Sequence, residues 1–225
     1  MINPIIAVQQ KIWAAQNASL ISGKTINPKF VTSSKLRRDT ALVNGQVYTG
    51  ISFNGTGIVP NASEILLGQN DAFLCTAARL TIKKLTATPT DALHKQAREF
   101  TYPNTFVFDG TTEVLAVFAV WNSYLTITQN SSVRFPKLYT GDFLFAPDQQ
   151  YGDITGLIAG PVYSRKLNDS KNSPNYGYAG IEPFLLVGTD QSNFTLNMNV
   201  AQNLTESSEF NFFTICLDGF LISGN

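Results

Sequence analysis

The chain has 225 residues, 44% hydrophobic, 12% aromatic and only 14% charged, and its sixteen Lys and Arg balance sixteen Asp and Glu. That length buries one large core without staples, the apolar content excludes a disordered chain, and no apolar run reaches the ~18 residues of a membrane span. With charge well below the usual quarter and Thr, Asn, Phe and Gly abundant, the composition suits a turn-rich all-β protein rather than a helical enzyme.

The chain opens without a basic n-region, and its first apolar run breaks at Gln9 and Gln10, too early for a secretory signal core. A cytoplasm, or a particle assembled in one, is the expected setting. Residues 1–45 carry Lys11, Lys24, Lys29, Lys35, Arg37 and Arg38 against the single acid Asp39, a net +5. Within them, Pro4 to Ala15 places Ile5, Val8, Ile12 and Ala15 on one helical stripe with Trp13 at its border. The rest, through Ser33-Ser34-Lys35-Leu36-Arg37-Arg38, reads as an extended arm, so the expected organisation is a basic arm over 1–45 and a sandwich domain over 46–225.

From residue 46, short β-type runs recur between turn clusters. Val47 to Phe53 ends at Asn54-Gly55, a strong turn signal. Ile65 to Leu67, Ala72 to Lys84, Thr105 to Phe108, Tyr124 to Thr128, Phe143 to Phe145, Phe184 to Val187, Phe194 to Met198 and Glu209 to Ile222 follow. Such a series predicts an antiparallel β-sandwich or barrel. Two helical insertions interrupt it. Thr88-Pro89-Thr90-Asp91 predicts a helix capped by Thr88 and running to Arg98. Val114, Val117, Phe118 and Trp121 recur at helical spacing, although their β-branched content leaves a buried strand open. Cys75 and Cys216 sit in apolar alternating runs and read as buried thiols. The long polar loop from Ser164 to Tyr178 reads as exposed. The last 54 residues carry Glu182, Asp190, Glu206, Glu209 and Asp218 with no Lys or Arg, a net −5.

Motifs for chemistry are sparse. The single histidine, His94, sits on a polar helical turn and reads as a solvated surface residue. One His and two distant Cys cannot build a zinc site within one chain. Gly23-Lys24-Thr25 ends like a phosphate-binding loop, but Ala18 stands where its first glycine is needed. Glu206 with Glu209 and Asp148 with Asp153 are the carboxylates to weigh for a glycosidase pair, and solvated turns explain both. No catalytic residue, metal or cofactor is expected. The basic residues of the arm, densest at Arg37-Arg38, suit weak phosphate contact or contacts between subunits. A basic arm and an acidic C-terminal quarter cancel in one subunit and complement each other between subunits.

A basic N-terminal arm, a sandwich of roughly 180 residues with Asn-Gly turns, and helices inserted between strands resemble the jelly-roll coat proteins of small icosahedral viruses. Ile65-Leu66-Leu67-Gly68-Gln69-Asn70-Asp71-Ala72-Phe73 and Leu217-Asp218-Gly219-Phe220-Leu221-Ile222 look like structural proteins of bacteriophages that infect Bacteroidota-type hosts. The resemblance implies a non-enzymatic capsid subunit of a virion, assembling with copies of itself and other virion proteins. It implies that Trp13, Lys24, Lys29, Lys35, Arg37 and Arg38 make arm contacts to subunits or nucleic acid. The arm is less basic than many genome-binding arms. The rival reading is a phage tail or host-surface carbohydrate-binding module, with Tyr151, Tyr163, Tyr176 and Tyr178 as its loop surface.

Overall fold

The computed structural model describes Trp13, Gln16 and residues 31–41, 48–55, 60–85, 87–103, 107–108, 117–129, 131–144, 179–189, 192–197 and 210–223. Among the described residues, nine strands lie in this order: β1 (Val31–Ala41), β2 (Tyr48–Ser52), β3 (Ala72–Leu85), β4 (Glu99–Phe100), β5 (Tyr124–Gln129), β6 (Ser132–Tyr139), β7 (Ala179–Val187), β8 (Ser192–Asn197) and β9 (Phe210–Ile222). Between β3 and β4 lies the short helix α1 (Asp91–Gln96), and a 3-10 turn (Thr140–Phe143) follows β6.

The strands form two antiparallel sheets. One has the order β1-β9-β3-β4 with β7 also on β3; the other runs β2-β8-β5-β6. With the two-residue β4 set aside, the pairing is nested. First joins last (β1 with β9), second joins second-last (β2 with β8), third joins sixth (β3 with β7), and the middle two form a hairpin (β5 with β6). An antiparallel ribbon rolled up in this way is a jelly roll.

Alternation explains which residues fill it. Along β5, Leu125, Ile127 and Gln129 are buried while Tyr124, Thr126 and Thr128 are half-buried, the period-2 pattern of a strand with one covered face. Leu36, Phe73, Leu80, Ile82, Phe184, Leu186, Phe213 and Ile215 of the five-stranded sheet meet Ile51, Leu125, Ile127 and Phe194 of the other in one core. Phe53 and Phe194 meet edge to face at 4.8 Å, and Phe135 and Phe184 at 5.4 Å, the geometry that the ring quadrupole favours. Buried Gln129 satisfies its amide by donating Nε2–H to the Leu185 carbonyl across the sheets at 3.0 Å. Strand β3 is buried along most of its length rather than at every second residue, because its second face is covered too. There, Leu74 and Leu185 turn away from the main core and pack with Val31, Ala72, Phe220 and Ile222.

Several expectations change. Residues 31–41, assigned to the arm, are strand β1, with Val31, Leu36 and Asp39 buried, so the sandwich begins at or before Val31. Strand β6 was not anticipated, because Arg134, Pro136 and Lys137 leave an exposed edge strand without apolar alternation. Phe143, placed in a strand by its apolar run, instead closes the 3-10 turn. The N-cap of α1 is Thr90, whose side chain accepts from Leu93 N at 3.3 Å, rather than Thr88, so Pro89 precedes the cap. Residues 117–121 are helical as their spacing predicts, with Val117 and Trp121 buried. The Thr140 hydroxyl donates to the Val120 carbonyl at 2.6 Å and accepts from Ser123 N at 3.0 Å, closing that helix. Cys75 and Cys216 are both buried free thiols.

Strand β3 bulges at Thr76, where Cys75 pairs with Gly219 and Ala77 with Asp218. A Cβ on Gly219 would lie 1.9 Å from the Leu74 carbonyl oxygen, so the two backbones approach too closely for any side chain. Gly219→Ala is therefore expected to cost about 1–3 kcal/mol through overpacking, read as a lower urea midpoint with an unchanged slope. An unchanged midpoint would show that the two strands separate there freely.

Candidate functional site

The outer face of the five-stranded sheet carries a line of charged and hydroxyl side chains. Strand alternation puts Arg37 and Asp39 of β1, Thr214 and Cys216 of β9, and Arg79, Thr81 and Lys83 of β3 on this face. Such a stripe would ordinarily face water. Here the loop 60–67 and α1 cover it. Ile65 makes two backbone hydrogen bonds with Arg37, at 2.8 and 3.0 Å, along the free edge of β1. The Asp91 carboxylate accepts from Ala62 N at 3.1 Å, tying α1 to the same loop.

Asp39 lies at the centre. Its side chain and that of Lys83 are both 0% exposed. Oδ1 accepts from Thr214 Oγ1 at 2.6 Å and faces an Arg37 guanidinium nitrogen at 3.5 Å. Oδ2 accepts from Lys83 Nζ, from Ser63 Oγ and from Asn61 Nδ2 at 3.3 Å. Lys83 Nζ also donates to Ser63 Oγ at 3.1 Å. Ser63 is held for this by Asn61, whose Oδ1 accepts from Ser63 N at 2.9 Å. Glu64 completes the loop, accepting from Asp39 N at 3.0 Å, from Asn61 N at 2.9 Å and from Arg38 at 3.0 Å. Glu99 of β4 pairs with Arg37, sits 3.8 Å from Arg79, and accepts from Thr81 Oγ1 at 3.3 Å. Three carboxylates thus meet four cations.

Burial alone would raise the Asp39 carboxyl, but the hydrogen bonds from Lys83, Ser63 and Thr214 and the charge of Lys83 outweigh it and hold the pKa at about 2. For Arg37, burial works against the charge, and Glu99 and Asp39 more than restore it, so its pKa is raised. His94 projects from α1 into the cluster and is 6% exposed, so the expectation of a solvated histidine is overturned. Its ring stands edge-on to Phe212 at 4.9 Å, and Nδ1 lies 3.5 Å from Asp39 Oδ2 without a hydrogen-bond partner. Burial and the Lys83 charge lower its pKa against the pull of Asp39, Glu64 and Asp91, so the imidazole is neutral at neutral pH. Burial raises the Cys216 thiol despite Arg79 and Arg37 nearby, which keeps it protonated.

Ser63 Oγ donates to Asp39 and accepts from Lys83 Nζ, so it bridges the two charges. Among the described residues, no group of three or more His, Cys, Asp and Glu is placed to hold a metal ion. What the cluster does is fasten β1, β3, β4, β9, the loop 60–67 and α1 to one another.

The residues expected to make contacts are dispersed. Arg37 and Arg38 belong to this internal cluster rather than to a free arm. Lys35 is exposed on β1, and Trp13 is helical and 45% exposed. Lys24, Lys29, Tyr151, Tyr163, Tyr176 and Tyr178 lie outside the described residues, as do Glu206, Glu209, Asp148 and Asp153. The cluster residues Asp39, Ser63, Glu64, Lys83, Glu99 and Thr214 had a signal, the i, i+2 spacing of Arg37 with Asp39 and of Arg79, Thr81 and Lys83. It was ambiguous, because the same spacing marks a wet strand face. Compared with known family models, curated proteins and solved structures, the chain matches none.

Removing one partner of a buried pair strands the other charge, at a cost of about 3–5 kcal/mol. Asp39→Asn and Lys83→Met are each expected to lose stability on this scale in urea unfolding, and the double variant less than the sum of the two. Additive losses would show that the two side chains do not act as a pair. The pH dependence has a fixed sign. Asp39 in its ion-paired form stabilises fully above its ordinary 3.8, and loses that contribution as pH falls through about 2. His94, also lowered, stabilises fully above its ordinary 6.5 and loses its contribution as pH falls through its lowered folded value. The melting temperature is therefore expected to fall on acidification from pH 7, and His94→Gln to flatten the upper part of that decline. A His94→Gln profile parallel to wild type would remove His94 from the acid response.

Proposed function

We propose that the chain is a structural subunit of a virus particle, a jelly-roll capsid protein that assembles with copies of itself. The observation that carries this reading is a closed jelly roll whose interior is filled by its own side chains. Phe53, Phe73, Phe194, Phe213, Leu36 and Leu186 are all at most 2% exposed and pack in one core. The outside of the fold is then left to act. The step from this fold to a shell is one of analogy, since one architecture serves several functions.

The surface supports the reading. Val133 and Tyr139 on β6 are 57% and 49% exposed, and Ile65 beside β1 is 52% exposed, so large apolar side chains stand at strand edges of both sheets. Pro136, Arg134 and Lys137 on β6 discourage a neighbour from adding as a further strand. Side-chain packing between subunits is the mode that such an edge suits.

Two truncations separate arm from fold. Removing residues 1–30 is expected to leave a cooperatively folding sandwich that no longer forms the particles seen with the full chain by light scattering and negative-stain electron microscopy. Removing residues 1–45 takes away β1 and Asp39 as well, and is expected to abolish folding. A full-length chain that stays monomeric at all concentrations would overturn the assembly reading, and normal particles from the shorter truncation would overturn the role of the arm.

A further inference from the structure

We propose that Asp39 and Lys83 are the precursors of an intramolecular amide cross-link that staples β1 to β3 across β9. This inference is independent of the assembly reading.

Three observations converge on it. Lys83 Nζ and Asp39 Oδ2 are in direct contact, and neither side chain is exposed. The strands that carry them are not neighbours, since β9 lies between them; the contact reaches over Thr214 and Phe212, with Nζ 5.9 Å from the Phe212 ring. Beside the same carboxylate oxygen stands a buried imidazole nitrogen with no hydrogen-bond partner, His94 Nδ1 at 3.5 Å. Nothing in the fold requires an unsatisfied nitrogen there, whereas a proton-transfer step does.

The energetics favour condensation at such a place. In water an ammonium and a carboxylate are preferred over their amide because both charges are hydrated. Out of water, that hydration is lost and the pair carries a desolvation cost. An amide removes both charges at once and releases a water molecule. Groups held in contact also react at an effective concentration of about 10⁵–10⁸ M when well oriented.

The step balances without an added reagent. The Lys83 ammonium passes one proton to Asp39 Oδ2, giving a neutral amine and a carboxylic acid. The Nζ lone pair attacks Cγ, forming the C–N bond, and the carbonyl electrons move onto Oδ1. That developing oxyanion meets the Thr214 hydroxyl at 2.6 Å and the Arg37 guanidinium at 3.5 Å, donors already aimed at it. In the Nε2–H tautomer His94 Nδ1 takes the second Nζ proton and delivers it to Oδ2. The C–Oδ2 bond breaks, water leaves, and the third proton stays on the amide nitrogen. Because Ser63 and Thr214 favour the ionised carboxylate, the first proton transfer is uphill and closure is slow, a single event per chain. Once closed, Asp39 no longer titrates, so the acid limb near pH 2 belongs to the open form.

The full-length protein, unfolded in denaturant and weighed by mass spectrometry, is expected to fall short of its sequence mass by one water. Trypsin is expected to release residues 39–79 joined to residues 80–84, with no cleavage after Lys83. A succinimide at Asp109-Gly110 or Asp218-Gly219 would also remove one water, so a light chain without the joined peptide overturns the proposal. So does a chain of full sequence mass cut normally after Lys83. Lys83→Arg is expected to restore the full mass. His94→Gln, verified as folded by circular dichroism, is expected to slow closure at least tenfold in mass spectra taken over time. Wild-type closure in that variant would remove His94 from the proton path while the cross-link stood.

Discussion

A carboxylate with no access to water governs this molecule. Asp39 sits on the first strand of the sandwich, yet its oxygens are bonded by side chains from the third strand, the last strand and a loop that precedes the third. An ionised group in that position is tolerable only when every acceptor site is filled. The filling therefore specifies the fold around it. Strands β1, β9 and β3 must lie in that order for Thr214 to stand beneath the carboxylate and for Lys83 to reach across it. The loop 60–67 must run along β1 for Ser63 to arrive, and Glu64 fixes its path by taking Asp39 N, Asn61 N and Arg38 together. Replacing Lys83 by an apolar group of similar size removes one bond and leaves the others aimed at an unneutralised charge.

What the sequence made legible follows from where water was excluded. Strands β3, β5 and β9 are long or alternating apolar runs, and they were found within a residue or two of their ends. Strand β1 reads in sequence as part of an arm because Thr32, Ser33, Ser34, Lys35, Arg37 and Arg38 look like solvated chain. Its polarity is real, but Arg37 and Arg38 are neutralised by Glu99 and Glu64, which lie 62 and 26 positions away and cannot be assigned from local pattern. Strand β6 was missed for the opposite reason: it is a true edge, and the Pro and basic residues that protect an edge also erase the strand signal. The capping of α1 by Thr90 instead of Thr88 is a competition between neighbouring Thr residues, settled by the contacts of Asp91 and His94.

The site was harder to read than the fold. A strand face of Arg79, Thr81 and Lys83 has one meaning if water covers it and another if a loop and a helix do, and nothing within those residues distinguishes the two. His94 shows the same ambiguity in a sharper form. On a polar turn with Lys95 and Gln96 it reads as solvated, and it is the one member of that turn that faces the sheet. Cys216 is the member of this face whose burial is legible from local pattern, because an apolar alternating run predicts burial whatever covers the other face.

Nested pairing adds an order to these contacts. Thr214 and Asp39 are separated by 175 positions, so β9 can take its place between β1 and β3 only when nearly the whole chain is available. Contacts of such separation carry the largest loop-closure cost and depend on shorter-range ones forming first. Before β9 arrives, Asp39 and Lys83 have no strand between them, no Phe212 beneath Nζ and no Thr214 hydroxyl on Oδ1, and both charges remain hydrated. The environment in which an ammonium and a carboxylate would exchange their charges for an amide is thus complete only when β9 lies between β1 and β3. A bond made there would be a covalent record that the roll had closed, and it would hold β1 to β3 with β9 fixed between them.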